Sequence, residues 1–171
     1  YPVAVAGVLR AGCVVVNVNP LYTPRELEHQ LKDSGATCVV IVENFATTLQ
    51  KVLPTVPIRR VIVTSLGDLL GVPKSWIVNY VVRHVKKLVP PFELPGAVSF
   101  RAALSAGRNL PMQAVAVGPD DIAVLQYTGG TTGISKGAVL LHRNLVANVL
   151  QSEAWHGPAL KKLPPGEQLV T

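Results

Sequence analysis

The sequence predicts an α/β fold with a largely parallel sheet and flanking helices, on three observations. Short apolar, β-branched runs recur at "CVVVNV" (13–18), "TCVVIVE" (37–43) and "RRVIVT" (59–64), and they barely alternate, as strands buried on both faces do. Helical patterns separate these runs, and strands joined through helices of that length pair in parallel by right-handed crossovers. Hydrophobic residues make up 49% of the 171 residues and charged residues 15%, which allows a sizeable core and argues against disorder.

Each element has its own signal. "PVAVAGVLRAG" (2–12) reads as a small-residue helix closed by Gly12. "TPRELEHQLKDSG" (23–35) carries a full set of helix signals: Thr23 as N-cap, Pro24 at the first helical position, Glu26 closing a capping box and Gly35 as the left-handed C-terminal residue. "FATTLQKVL" (45–53) is a short helix ended near Pro54. Regularity lapses over 65–118, where Pro73, Pro90, Pro91, Pro95 and Pro111 bound only short apolar runs. That stretch reads as an irregular Pro-rich insertion with one strong helix at about Ser75–Val89. "GPDDIAVLQYT" (118–128) then turns into a strand, with Asp120 and Asp121 as turn residues and not a catalytic carboxylate pair. "GAVLL" (137–141) is a further strand and "HRNLVANVLQSEAW" (142–155) a helix. His29 and His84 read as ordinary helix positions, and His142, at a helix start, as a polar end-group and not a catalyst.

Cys13 and Cys38 fall inside the strand runs, so buried, reduced thiols are expected; neither has CxxC spacing, and a cytoplasmic compartment follows. No basic leader region opens the chain, and its apolar stretches fall short of a membrane span. A first residue other than Met, and an ending "GEQLVT" that reads as a strand just beginning, suggest that both ends are cut. The formal charge of +6 suits anionic partners: nucleotide phosphates, an acidic membrane surface or nucleic acid. Nucleic acid is disfavoured, because four Tyr and three Phe supply few stacking platforms.

"KSWIVNYVVRHVKK" (74–87) plots as an amphipathic helix. Ile77, Val78, Val81, Val82, Val85 and Leu88 share an apolar arc; Asn79, Arg83, Lys86 and Lys87 share the other side, with Trp76 and Tyr80 at a boundary. Two readings stand: a domain helix with its apolar arc on the core and its charges solvated, or a helix at an anionic membrane interface spanning residues 74–89.

"YTGGTTGISKGA" (127–138) packs four Gly, three Thr and one Lys between two apolar strands. Gly129, Gly130 and Gly133 can adopt positive φ and let backbone N–H groups converge on an anion. Thr128, Thr131 and Thr132 add hydroxyls able to face a phosphate or a hydrated Mg²⁺, and Lys136 adds a point charge. The pattern is neither G-x-x-x-x-G-K-[ST] nor G-x-G-x-x-G, so it is not a P-loop or a dinucleotide fingerprint. An inert flexible loop is the competing reading.

The stretch resembles the phosphate-binding signature of the adenylate-forming (AMP-binding) superfamily, commonly Y-T-S-G-T-T-G-x-P-K-G. Gly129 stands where Ser is usual and Ser135 where Pro is usual. With "LQYTGGTTG", "KGAVLLHRNLVANVLQ" and "GVLRAGCVVVNVNPLYTPRELEHQLKDSGA", the chain is similar to bacterial long-chain fatty-acid–CoA ligases over nearly its whole length, least between 65 and 118. The resemblance implies that 1–171 is part of the large N-terminal domain of such an enzyme. It implies ATP with Mg²⁺, a fatty acid and coenzyme A as reactants, an acyl-adenylate intermediate, and a thioester product. Backbone groups of Gly129, Gly130 and Gly133, the Thr131 and Thr132 hydroxyls and Lys136 are then expected on the phosphates, with Tyr127, Thr128, Ile134, Ser135, Gly137 and Ala138 lining the loop. It also implies that the acidic magnesium ligand, the ribose-binding Asp and the C-terminal catalytic Lys lie downstream of this chain, which alone should not turn over. The alternatives are a ligase of the same superfamily for medium-chain or aromatic acids, and a non-catalytic membrane-surface or partner-binding module.

Overall fold

The computed structural model describes residues 1–128 and 135–160, which form two three-stranded sheets with helices packed on them. In the first, β1 (Val15–Asn17) lies parallel to β5 (Ile122–Thr128), and β6 (Lys136–Leu141) runs antiparallel along the other side of β5. In the second, β2 (Cys38–Val42), β3 (Arg60–Thr64) and β4 (Val98–Ser99) pair in parallel in that order. The antiparallel β5–β6 pair is the exception, because residues 129–135 are too few for the crossover of roughly a dozen residues that parallel pairing needs.

The helices are α1 (Pro2–Arg10), α2 (Pro24–Ser34), α3 (Ala46–Val52), α4 (Lys74–Tyr80), α5 (Phe100–Gly107) and α6 (His142–Leu160). The signals on α2 operate as the sequence expects. Thr23 Oγ1 accepts from the Glu26 N–H, the Glu26 carboxylate accepts from the Thr23 N–H at 2.8 Å, and Gly35 closes the helix at φ 63°. Gly12 turns the chain after α1 at φ 69°, and a Cβ there would lie 2.5 Å from a Val115 methyl.

Two apolar clusters hold the sheets. Leu27 and Leu31 of α2 pack with Leu49 and Val52 of α3 and Val61 of β3. Val15, Ala123 and Val124 of the first sheet are covered by Val5, Val8 and Leu9 of α1 and by Leu145 of α6. Each fully buried Leu contributes roughly 1.5–3 kcal/mol. α2 stands between the clusters, with its leucines toward α3 and β3. Its buried Gln30 donates to the Asn17 carbonyl of β1 at 2.8 Å.

Several expectations need correction. Both cysteines are free but exposed. β1 begins only at Val15, leaving Cys13 in the turn before it, and β2 is the outer strand of its sheet, so Cys38 has no strand on one side. β1 and β2 are accordingly half-covered and not buried on both faces. Residues 65–118 are also more regular than their Pro content suggests. They supply β4, which extends the second sheet, and α5, capped by the Ser99 hydroxyl accepting from the Ala102 N–H. Asp120 and Asp121 do serve the turn before β5: Asp121 accepts from the Gly118 N–H at 2.7 Å, and Asp120 pairs with Arg143 at 2.6 Å.

Candidate functional site

β5 and β6 form the two legs of the Gly-rich loop. Their register sets Thr128 against Lys136, Tyr127 against Gly137 and Gln126 against Ala138. Tyr127, Thr128, Ser135, Lys136, Gly137 and Ala138 therefore meet at the carboxyl end of β5. The parallel β1 ends there too, with Asn17 Nδ2 donating to Gln126 Oε1 at 3.0 Å. Carboxyl ends of parallel strands are where α/β sheets place their ligands. Gly129, Gly130, Thr131, Thr132, Gly133 and Ile134, which carry most of the expected phosphate contacts, lie outside the described residues.

The mouth of the loop is closed by side chains. Ser135 Oγ donates to the Thr128 carbonyl at 3.0 Å, a tether that the proline usual at this position has no hydroxyl to make. Gly137 lies close against the Tyr127 ring: a Cβ at 137 would sit 3.1 Å from Tyr127 Cε2 and Cζ, tight enough that the ring would have to shift. The ring is buried, and its hydroxyl donates to Asp33 Oδ2 of α2 at 2.5 Å. Burial, then the hydrogen bond to the Asp33 carboxylate, push the Tyr127 phenol up to about 12, so it stays a neutral donor. On the opposite leg, His29 Nε2 lies 3.4 Å from the Ser135 carbonyl oxygen. The exposed Lys136 ammonium and Thr128 hydroxyl stand at the same end, a donor set suited to a polyanion. Among the described residues no group of three His, Cys, Asp or Glu side chains is placed to hold a metal ion.

Gln30, Asp33 and His29 did not stand out in the sequence. Asp33 and His29 lie four positions apart on the side of α2 away from Leu27 and Leu31, which is the spacing of two neighbours on one helix face. That spacing was legible, but it reads equally well as a solvated face.

The amphipathic segment meets the core-helix expectation only in part. The backbone passes from α4 into a π-helical turn at Val81–Val85, and both Asn79 and Arg83 of its polar side and Val78, Val81 and Val82 of its apolar arc face the protein. Arg83 makes a two-pronged pair with Glu43, whose side chain is 4% exposed, with contacts of 2.7–3.1 Å, and also reaches the Ser65 hydroxyl at 2.9 Å. Asn79 accepts from the Gly67 N–H at 2.8 Å, and Asn44 Nδ2 donates to the Leu88 carbonyl at 3.0 Å. Trp76, Ile77, Tyr80, Val85 and Leu88 are each more than half exposed, while Val78, Val81 and Val82 are half-buried. Glu43 accounts for the inward reach of Arg83: a buried carboxylate needs a cation. No helix among the described residues is long and apolar enough to cross a membrane.

Comparison with known proteins agrees with this geometry. Residues 1–168 match the AMP-binding enzyme family. The chain is 55% identical over 170 residues to a long-chain-fatty-acid–CoA ligase of Escherichia coli, covering 99% of this chain and 30% of that protein. It is 34% identical over 151 residues to a long-chain-fatty-acid–CoA ligase of Bacillus subtilis, covering 87% of this chain and 27% of that one. The crystal structure of a long-chain-fatty-acid–CoA ligase from Archaeoglobus fulgidus superposes with a TM-score of 0.60 at 31% identity, over 92% of this chain and 26% of that one. An anthranilate CoA ligase solved with anthranoyl-AMP shares the fold at 21% identity and a TM-score of 0.58. The chain thus spans under a third of the length of the curated relatives it matches. The α/β sheet, the hairpin at its carboxyl edge and these matches agree: the chain belongs to the AMP-binding enzyme family.

Proposed function

We propose that this chain is part of the large N-terminal domain of an ATP-dependent long-chain fatty-acid–CoA ligase, in which residues 127–138 receive the phosphates of ATP. The observation that carries the reading is the signature loop mounted between β5 and β6, with Lys136 and Thr128 at the carboxyl edge of the sheet. In the first step the fatty-acid carboxylate attacks the α-phosphate, and pyrophosphate leaves. Negative charge then grows on the β,γ-phosphates, so donors held there in advance stabilise the transition state more than the ground state. Lys136 supplies such a charge, and a charge-assisted hydrogen bond of this kind contributes about 1.5–3 kcal/mol. Coenzyme A then displaces AMP to give the thioester. Mg²⁺ would accompany ATP, with its carboxylate ligand in the enzyme outside this chain. Residues 65–118 are an insertion in that domain, and the enzyme works in the cytoplasm.

The test is Lys136→Ala in the full-length enzyme, followed by oleate-dependent exchange of pyrophosphate into ATP. Exchange should fall at least roughly tenfold, the equivalent of about 1.4 kcal/mol; exchange at the wild-type rate would remove the loop from the chemistry.

A second reading concerns location. The outward stripe of Trp76, Ile77, Tyr80, Val85 and Leu88, next to Lys74, Lys86 and Lys87, suits peripheral contact with an anionic bilayer from which a fatty acid is collected. A Lys86→Glu/Lys87→Glu variant should sediment less with phosphatidylglycerol vesicles and no differently with phosphatidylcholine vesicles. Unchanged sedimentation with the anionic vesicles would end that reading.

A further inference from the structure

α2 reaches both legs of the loop from one side. Asp33 accepts the Tyr127 hydroxyl at 2.5 Å at the entry leg, and one turn earlier His29 Nε2 lies 3.4 Å from the Ser135 carbonyl at the exit leg. The helix that carries them is among the best-fixed elements of the chain. It is boxed at its N-terminus, closed by Gly35, packed through Leu27 and Leu31, and tied to β1 by Gln30.

We propose that Asp33 and His29 are positioning residues for the phosphate-binding loop, together setting where its two legs leave the sheet. The inference rests on reading residues 127–138 as the nucleotide site. Between the legs the sequence has three Gly and two Thr, a composition whose backbone is costly in entropy to order on a ligand. Fixing both of its roots on a rigid helix removes part of that loss before ATP arrives, which is preorganisation. The contacts suit the task. The hydroxyl of the buried Tyr127 keeps its proton and donates to the Asp33 carboxylate, the strong kind of hydrogen bond. Gly137 makes room for the ring that carries it, and Ser135, whose carbonyl faces His29, bridges to Thr128 through its hydroxyl. Entry and exit are joined to each other and to α2.

The test uses the full-length enzyme with Asp33→Ala, Tyr127→Phe and the two combined, and with His29→Ala and His29→Gln. Oleate-dependent pyrophosphate exchange gives KM for ATP and for oleate separately, and thermal unfolding with and without Mg·ATP gives the nucleotide-induced rise in Tm. Asp33→Ala and Tyr127→Phe should each raise KM for ATP about tenfold, a change typical of coupled contacts, with KM for oleate unchanged and the double variant no worse than the poorer single one. His29→Ala should raise KM for ATP by a smaller factor, and His29→Gln, which retains a donor, should restore it. The Tm rise on adding Mg·ATP should shrink in step. A merely structural role would lower the Tm of the free enzyme while leaving KM for ATP at the wild-type value, and that result overturns the proposal. Additive effects of Asp33→Ala and Tyr127→Phe would also overturn it. If Asp33→Ala does not fold, Tyr127→Phe, which removes one hydroxyl, decides alone. Wild-type enzyme showing no exchange would instead overturn the nucleotide reading of the loop, whatever the variants do.

Discussion

Helices α2 and α4 are both amphipathic, and they are fastened to the protein by different kinds of contact. α2 lays Leu27 and Leu31 into the cluster with Leu49, Val52 and Val61, and His29 and Asp33 on its other side reach to the hairpin. α4 and the turn after it are fastened through Asn79 and Arg83 to Gly67, Ser65 and the buried Glu43, with Trp76, Ile77 and Tyr80 turned outward. The difference lies in what waits on the receiving surface. A leucine-lined groove recruits an apolar face; a buried carboxylate recruits a guanidinium, because a lone buried charge is more costly than exposed apolar area.

Four variants probe this contrast, each read by urea unfolding. Leu31→Ala removes a side chain that is 1% exposed and should cost about 3 kcal/mol, the range for a buried Leu that leaves a cavity. Arg83→Ala leaves Glu43 buried without its cation and should cost about 2 kcal/mol, below the usual range for a buried pair because the guanidinium is half in water. Replacing both partners, Arg83→Met with Glu43→Leu, should recover most of that loss; a double variant as unstable as Arg83→Ala would show that the carboxylate is not what orients α4. Thr23→Ala, which removes the cap that starts α2, should cost about 1 kcal/mol. The same cap predicts an acid response. Hydrogen bonds from Thr23 hold the Glu26 carboxyl below its ordinary pKa of 4.5, so its contribution is complete above that value and is lost as the pH falls through the lower, folded one. Thr23→Ala should flatten the stability profile in that acid window, and an unchanged slope there would contradict the capping assignment.

The parts of the fold legible in the sequence are those specified locally. The boxed start of α2 depends on Thr23 and Glu26 alone, its end on Gly35, and the turn before β5 on Asp121, so neighbouring residues suffice to read them. What escaped depends on distant partners. The exposure of Cys38 follows from strand order and that of Cys13 from where β1 begins, neither of which local patterns encode. β4 is two residues long, too short for a periodicity to show, and exists because β3 offers it an edge. At the candidate site, the loop's composition and flanking strands were visible in the sequence. The attachment of its legs to α2 was not, since Asp33 and Tyr127 are 94 residues apart.

The notch between Tyr127 and Gly137 has a consequence for how this hairpin tolerates change. Slipping β6 along β5 by a residue would bring Lys136 or Ala138 toward the aromatic plate, and both carry the carbon that Gly137 lacks. The two strands therefore keep count with each other. An amino acid added or deleted between Thr128 and Ser135 has to be absorbed there, leaving the ladder in step, so the length of that segment can change independently of the sheet that carries it.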